Sequence, residues 1–165
     1  MSDLSVTVLG SFSTETNGSF LQKFRTNKVQ ALLIYLTIEA TTPIAREKLM
    51  ELIWPDLPRE SAQINLRQTV YQLRKLLIDA RGEAAVPFIL SERLTIGINS
   101  DVGCTIDLHA FEQLIDAVNR HPHPDLYSCL DCQNHLEKAI ALYKGDFLDD
   151  FYLVDSNALA ATGLA

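Results

Sequence analysis

One stretch of the chain carries side chains that could bind a nucleic acid. Over residues 58–78 apolar side chains recur at the 3.6-residue spacing of a helix, and the opposite face is rich in amides and cations. The candidate DNA-binding residues on that face are Arg67, Gln68, Tyr71, Gln72, Arg74 and Lys75. A polar helix face can also be merely solvated, so the surrounding elements must decide its meaning.

The amides and the cations of this face are expected to play different parts. Glutamine can read adenine through two hydrogen bonds, so Gln68 and Gln72 are candidates for contact with base edges. The three cations are expected to hold phosphates, which position a protein on DNA without reading its sequence. Tyr71 fits a contact in the groove and a surface aromatic equally well.

A second group of residues has the spacing of a zinc site. His121 and His123 flank a proline, and Cys129 and Cys132 follow as a Cys-x2-Cys pair. Tetrahedral Zn²⁺ takes this mixture of nitrogen and sulfur ligands. The four residues therefore indicate a structural zinc ion that clips two helices together. The other interpretation is that the cysteines are small buried residues or a thiol pair without a role.

The charge of the chain is distributed unevenly. The net charge is −7 over 165 residues, which by itself disfavours a nucleic-acid partner. Residues 1–100 hold 11 Lys+Arg against 10 Asp+Glu, a balance of +1, whereas residues 101–165 hold 3 against 11, a balance of −8. This asymmetry predicts two modules with different partners, and the candidate helix lies in the near-neutral one.

Several classes of function are disfavoured. No apolar run approaches the length of a membrane span, and the first residues do not resemble a signal peptide. We therefore expect a cytoplasmic protein whose three cysteines are reduced. No nucleotide-binding loop, Ser-His-Asp arrangement or paired carboxylates appear, so the chain is not expected to be an enzyme.

The elements before and after the candidate helix explain how it could be positioned. Alternating residues from Leu4 to Val8 and the Asn17-Gly18 pair predict a small N-terminal antiparallel sheet that ends near Phe24. Two helices follow, from Thr26 or Asn27 to Glu39 and from Arg46 to Ile53. Lys28 and Arg46, at the starts of these helices, could add contacts to a DNA backbone, but solvated charges are the favoured interpretation of both.

A hairpin is predicted immediately after the long helix. Residues 88–90 and 94–98 read as strands joined by Ser91-Glu92-Arg93. Three helices followed by a hairpin are the order of a winged helix-turn-helix, whose third helix fits the major groove. The hairpin would be the wing, and Arg93 at its tip is a candidate for a minor-groove contact.

The acidic part of the chain predicts a pair of helices. Apolar residues have helical spacing from Leu108 to Val118 and again from Leu136 to Tyr143, with residues 121–128 between the two runs. One such pair resembles a single unit of a helical repeat, which buries its apolar face only by stacking on a neighbour. That face must pack on the first module or on a second copy of the chain.

The sequence resembles a known family of regulators. The strings RTNKVQALLIYL, REKLMELIWPD and SAQINLRQTVYQLRKLL are similar to the OmpR-type winged helix of Streptomyces antibiotic regulatory protein (SARP) and AfsR-like transcriptional regulators. The strings DLHAFE and AIALYKGDFL resemble the bacterial transcriptional activator domain that follows in that family. The wing tip lacks the usual glycine and tyrosine. After Asp155 the chain departs from the family, which indicates a shortened product of a longer regulator.

The resemblance implies a fold, a function and partners. The fold is α+β: a winged-helix DNA-binding domain over 1–100, and a truncated helical activator domain over 101–165. The function is sequence-specific binding of double-stranded promoter DNA. RNA polymerase is the implied protein partner, with Leu57 and Arg59 as contact residues. Trp54, directly after the second helix, is instead expected to be buried between helices. Direct repeats in the DNA would be bound by a homodimer.

A second class of function stays open. A winged helix can also present its third helix to a protein, with the acidic helices as a scaffold, and the net charge of −7 fits that alternative. Binding to duplex DNA, and its dependence on salt, distinguishes the two.

Overall fold

The computed structural model describes residues 4–82 and 86–151, which form a mixed α+β fold, as predicted. The strands are β1 (Leu4–Thr7), β2 (Ser13–Thr16), β3 (Ser19–Phe20), β4 (Ile44–Ala45), β5 (Ile89–Ser91), β6 (Thr95–Ile98) and β7 (Cys104–Ile106). The helices are α1 (Asn27–Ile38), α2 (Arg46–Ile53), α3 (Arg59–Arg81), α4 (Asp107–Arg120) and α5 (Leu130–Leu142), with a 3-10 turn at Leu126–Ser128.

The N-terminal sheet has the strand order β3-β2-β1-β7. The predicted hairpin between β2 and β3 is present, and its turn places Asn17 and Gly18 at φ angles of 51° and 76°, which asparagine and glycine tolerate best. The expectation of a purely antiparallel sheet is wrong, because β7 pairs with β1 in parallel. A three-residue strand that pairs 100 residues away leaves no local pattern by which it could be recognised.

Helix α1 lies at the centre of the core. The Thr26 hydroxyl accepts a hydrogen bond from the Val29 amide and so caps the helix, as predicted. Its buried residues occupy most of its circumference, from Val29 through Ala31–Thr37, rather than a single stripe. Helices α2 and α3 pack against it, as do strands from both sheets.

Helix α3 is longer than predicted and ends at Arg81, where Gly82 adopts a φ of 94°. Its predicted buried stripe is confirmed: Ala62, Leu66, Val70, Leu73 and Leu77 are all buried. The hairpin after it is also present, and β4 adds a third strand to give the order β4-β6-β5. Strand β4 has only two residues, too few for an alternating pattern.

Helices α4 and α5 pack against each other at both ends. The ring of Phe111 near the start of α4 lies 6.1 Å from that of Tyr143 at the end of α5, so the two helices are antiparallel, as predicted. Ile140, expected on the buried face of α5, is instead 71% exposed. The helix turns its buried positions, Cys132 and Ala139, toward α4, which leaves Ile140 on the outside.

The two predicted modules are joined closely. The Asp107 carboxylate, at the start of α4, accepts hydrogen bonds from the backbone amides of Val8, Leu9 and Leu108. Leu148 donates its amide to the Val8 carbonyl over 2.8 Å and lies in the same core. The boundary at residues 100/101 stays a prediction, and residues from both sides of it share one sheet and one core.

Two further expectations meet the limits of the described chain. None of the helices within residues 4–82 and 86–151 is both long enough and apolar enough to cross a membrane. The departure from the family after Asp155 lies outside these residues.

Candidate nucleic-acid interface

The polar face of α3 is exposed. Five of the six predicted DNA-binding residues on this helix are exposed, namely Arg67, Gln68, Tyr71, Arg74 and Lys75. The sixth, Gln72, is half-buried, so its amide is less accessible than that of Gln68. Two apolar side chains share the face: Tyr71 is 66% exposed and Ile64 is 54% exposed. The face therefore combines cations, amides and apolar groups in one accessible strip.

One flank of α3 faces another cation. Arg46, the first residue of α2, lies close enough to Arg67 and Arg74 for their charges to act on it. The pKa of Arg46 is lowered first by burial and then by the charges of Arg67 and Arg74. Arg46 and Arg67 also line the same cleft, so positive charge is concentrated where α2, α3 and the hairpin meet.

Arg46 also holds the turn of the hairpin in place. Its Nε donates to the Glu92 carbonyl over 2.8 Å, and its Nη2 donates to Ser91 Oγ over 2.5 Å. Its backbone amide donates to the Leu94 carbonyl over 2.9 Å. The interpretation of Arg46 as a solvated charge is therefore wrong, because it fixes the turn that carries Arg93.

Arg93, in the turn of the hairpin, lies beside α3. It is exposed and lines a cleft of about 450 Å³ together with Arg46, Gln63, Arg67 and Glu92. The cleft brings the predicted hairpin cation and one predicted helix cation to the same surface. Glu92 brings one negative charge to the same cleft.

Arg74 also makes a structural contact between α3 and the hairpin. Its Nη2 donates to the Ile89 carbonyl over 3.0 Å and so braces α3 against β5. Arg74 also lines a cavity of about 270 Å³ between the end of α3 and β5, with Ile78, Arg81 and Phe88. Arg74 is thus a structural residue as well as a candidate phosphate ligand.

The residues predicted to touch RNA polymerase are Leu57, in the loop between α2 and α3, and Arg59, the first residue of α3. Trp54 is 8% exposed, which confirms that it is buried between helices. Leu57 is 40% exposed, and Arg59 forms an exposed ion pair with Glu47.

Lys28, expected to be solvated, instead donates from Nζ to the Ile53 carbonyl over 2.7 Å at the end of α2. That bond satisfies one of the carbonyls that a helix end leaves open.

Three of the four predicted metal ligands come together away from this surface. His121 Nδ1 lies 3.4 Å from Cys129 Sγ and 3.4 Å from Cys132 Sγ. The ring of His123 lies 5.7 Å from that of His121, centroid to centroid. Among the residues that the structure describes, the ring of His135 has one hydrogen-bond partner, the Asp131 carbonyl of its own helix.

Sequence reasoning missed the roles of Arg46 and Asp107. Their partners are far away in the chain: Arg46 bonds the Ser91 hydroxyl and the Glu92 carbonyl, 45 and 46 residues away, and Asp107 bonds the Val8 and Leu9 amides, 99 and 98 residues away. The only available signal was their position: each is the first residue of a helix that follows a short β-branched segment. Such a position does not by itself reveal a partner.

Comparisons with known proteins bear on the fold. No family model matches the chain, and no curated protein matches it. Among solved structures, that of Mycobacterium tuberculosis EmbR in complex with a low-affinity phosphopeptide is similar, with a TM-score of 0.72 and 23% identity over 98% of this chain. The chain spans 41% of the length of that EmbR chain. At this identity the likeness shows the fold alone: the chain shares the fold of the part of EmbR that it covers.

Proposed function

We propose that this chain is a sequence-specific, double-stranded-DNA-binding regulator of transcription. In this proposal the fold is a winged helix-turn-helix, α3 enters the major groove, and the β5–β6 hairpin is the wing. The observation that carries the proposal is the cluster of Arg46, Arg67 and Arg74 beside the exposed amides of α3. The resemblance of the sequence to SARP-type regulators and the fold shared with EmbR point the same way.

The charge of the cluster argues for an anionic ligand. Burial lowers the pKa of Arg46 most, and the neighbouring positive charges of Arg67 and Arg74 lower it further. Within the described chain, none of these three arginines forms a salt bridge with a carboxylate. A phosphate oxygen placed among them would relieve the repulsion and would gain charge-assisted hydrogen bonds. Phosphates of the DNA backbone are spaced to supply several such contacts at once.

The neutral side chains of the same face argue for readout of bases. Gln68 is exposed and directly follows Arg67 in α3. If Arg67 held a phosphate, the side-chain amide of Gln68 would lie inside the groove, beside the base edges. The exposed Ile64 and Tyr71 side chains can contact thymine methyl groups, which are also presented in the major groove. A surface that served only to attract polyanions would have no need of these apolar groups.

RNA polymerase and a second copy of the chain are the further proposed partners. Leu57, exposed on the α2–α3 loop, and Arg59, which starts α3 and forms an exposed ion pair with Glu47, would be accessible to a protein while α3 lies in the groove. Binding of two copies to direct repeats would place half-sites about 10–11 base pairs apart, one helical turn of DNA. The proposal contains no enzymatic step.

A protein-interaction module is the alternative, and one observation favours it. Ile64 and Tyr71 are both more than half exposed on the outer face of α3, and the chain as a whole carries a charge of −7. Exposed apolar side chains of this kind also mark protein interfaces. A chain that binds a protein through α3 would show no preference among duplex sequences.

Selection of bound sites from a random duplex library tests the proposal. An enriched sequence with repeated half-sites supports it. Affinity for that sequence should then fall with salt by about 0.9 log units per log unit of salt for each neutralised phosphate. A library that yields no enriched sequence, with no detectable binding at low salt, rejects DNA binding in favour of the alternative.

A further inference from the structure

We infer that His121, Cys129 and Cys132 hold a structural zinc ion, with His123 as the fourth ligand. The three first-named residues offer donor atoms that all lie within 4.8 Å of one another. They come from the end of α4 and the start of α5, on either side of the intervening loop. This site is separate from the proposed DNA-binding surface and does not depend on it.

The distances match a tetrahedral metal site. Zinc–sulfur bonds of about 2.3 Å and zinc–nitrogen bonds of about 2.0–2.1 Å at tetrahedral angles place sulfur and nitrogen roughly 3.6 Å apart. The observed separations from His121 Nδ1 are 3.4 Å to Cys129 Sγ and 3.4 Å to Cys132 Sγ. An ion could therefore be inserted with only small shifts of the three side chains.

Hydrogen bonding alone explains this arrangement poorly. A neutral imidazole nitrogen has one lone pair, and a protonated one has a single hydrogen. Two thiols at equal distance from His121 Nδ1 therefore compete for one hydrogen bond. A metal ion resolves the competition, because it is bound by both sulfurs as thiolates and by the nitrogen lone pair together.

His123 supplies a second, independent observation. Its Nε2 atom is buried and finds no hydrogen-bond partner among the residues that the structure describes. Buried polar atoms in native proteins are nearly always paired, so an orphan of this kind requires an explanation. The ring stands edge-on to that of His121, one of the three gathered ligands, with 5.7 Å between centroids. Coordination would satisfy the orphaned nitrogen.

The position of the site explains what the ion would do. His121 directly follows α4, and Cys129 directly precedes α5, where its side chain makes no capping bond. Within α4 and α5 only Leu108, Val118, Cys132 and Ala139 are buried, so the helix pair has a small apolar interface. A metal bound only by the folded chain would stabilise the pairing of the two helices.

Metal analysis of the intact chain, purified without a histidine tag or a chelator, tests the inference. The expected content is close to one zinc per chain, lost in the Cys129→Ser/Cys132→Ser variant. Cys104→Ala and His135→Asn are matched controls, because Cys104 lies in β7 and the ring of His135 bonds a carbonyl of its own helix, and both should keep the zinc. Less than a tenth of an equivalent, together with no uptake of added Zn²⁺ by the parent chain, would overturn the inference.

Cobalt substitution keeps the test decisive if the double variant does not fold. Apo-protein titrated with Co²⁺ should show the visible bands of a tetrahedral site and a thiolate charge-transfer band. His123→Asn should weaken zinc binding at least tenfold; unchanged affinity would overturn the assignment of His123. A Cys129–Cys132 disulfide in freshly purified protein, seen as a mass lower by two hydrogens, would contradict the metal site.

Discussion

The guanidinium of Arg46 donates a hydrogen bond to the backbone carbonyl of Glu92 over 2.8 Å, which joins the first residue of α2 to the turn between β5 and β6. This contact sets the position of the turn relative to α3. In the proposed mode of DNA binding, it would hold Arg93 beside Arg67, with which it shares a cleft.

Arg46→Ala should destabilise the fold and weaken DNA binding together. The variant loses two side-chain hydrogen bonds from a partly buried charged group, which corresponds to about 1–2 kcal/mol of unfolding free energy. Urea denaturation measures this loss. Arg93→Ala is the control: this exposed residue should leave stability within about 0.5 kcal/mol of the parent and should reduce DNA affinity alone. Equal stability of both variants would contradict the bracing role of Arg46.

Arg67→Ala should weaken binding to all duplexes by a similar factor. Loss of one phosphate contact should reduce the slope of log affinity against log salt by about 0.9. Fluorescence anisotropy at four or more salt concentrations measures the slope. Lys138→Ala, which removes an exposed cation from α5, should leave the slope unchanged. A change in the preferred sequence on loss of Arg67 would show that this residue reads bases.

Gln68→Ala and Gln72→Ala should each relax the preference at one base position. Loss of a bidentate contact to adenine removes about 1–3 kcal/mol of discrimination at that position. The effect of Gln72 should be the smaller, since its side chain is half-buried and that of Gln68 is exposed. Repeating the library selection with each variant gives the answer. If both variants lost DNA affinity equally at every base position, neither amide would contact a base edge.

Asp107→Asn should loosen the attachment of α4 to the N-terminal sheet. The asparagine amide nitrogen cannot accept a hydrogen bond, so at least one of the amides of Val8 and Leu9 loses its partner. The expected loss of unfolding free energy is about 1–3 kcal/mol, measured in urea. Asp116→Asn is the control, because Asp116 is exposed and forms a long salt bridge of 3.8 Å with Arg120. A loss no greater than that of the control would contradict the link.

Cys104 should react slowly with alkylating reagents. Burial raises its pKa from 9.0 to about 11, so at pH 8 its thiolate fraction is lower by about a hundredfold than that of an ordinary cysteine. Because the folded pKa is raised, the stabilisation from the neutral thiol is fully present below pH 9 and is lost as the pH rises through about 11. Mass spectrometry of iodoacetamide labelling, folded against urea-unfolded, measures the rate. Equal rates in the two states would contradict the burial of this thiol.

Local patterns predicted the elements whose signals are local. The stripe of α3, the Thr26 cap and the Asn17-Gly18 turn each depend on a few neighbouring residues, and all three are present. Strands β4 and β7 were not predicted, because they have two and three residues and are defined by their partners. The exposure of Ile140 likewise depends on where α4 lies, which the sequence of α5 cannot reveal.

In the candidate site, too, features with a local sequence signal could be predicted, whereas contacts between distant residues could not. The exposed face of α3 could be predicted from helical spacing, including Arg67 and Gln68. The tie between Arg46 and the hairpin could not, because it depends on the packing of α2 against a turn 46 residues away. The proximity of His121 to the two cysteines was predictable, since a single short loop joins them.

The most direct test of the central claim is the equilibrium affinity of the intact chain for its best selected duplex and for a shuffled duplex, measured as a function of salt. If the chain binds DNA sequence-specifically, it should bind the selected duplex at least about 10³-fold more tightly than the shuffled duplex. The log-log salt slope should be on the order of −3 to −5, as a few neutralised phosphates would give. Equal affinities for the two duplexes, or no detectable binding to either at low salt, would contradict sequence-specific DNA binding by this chain.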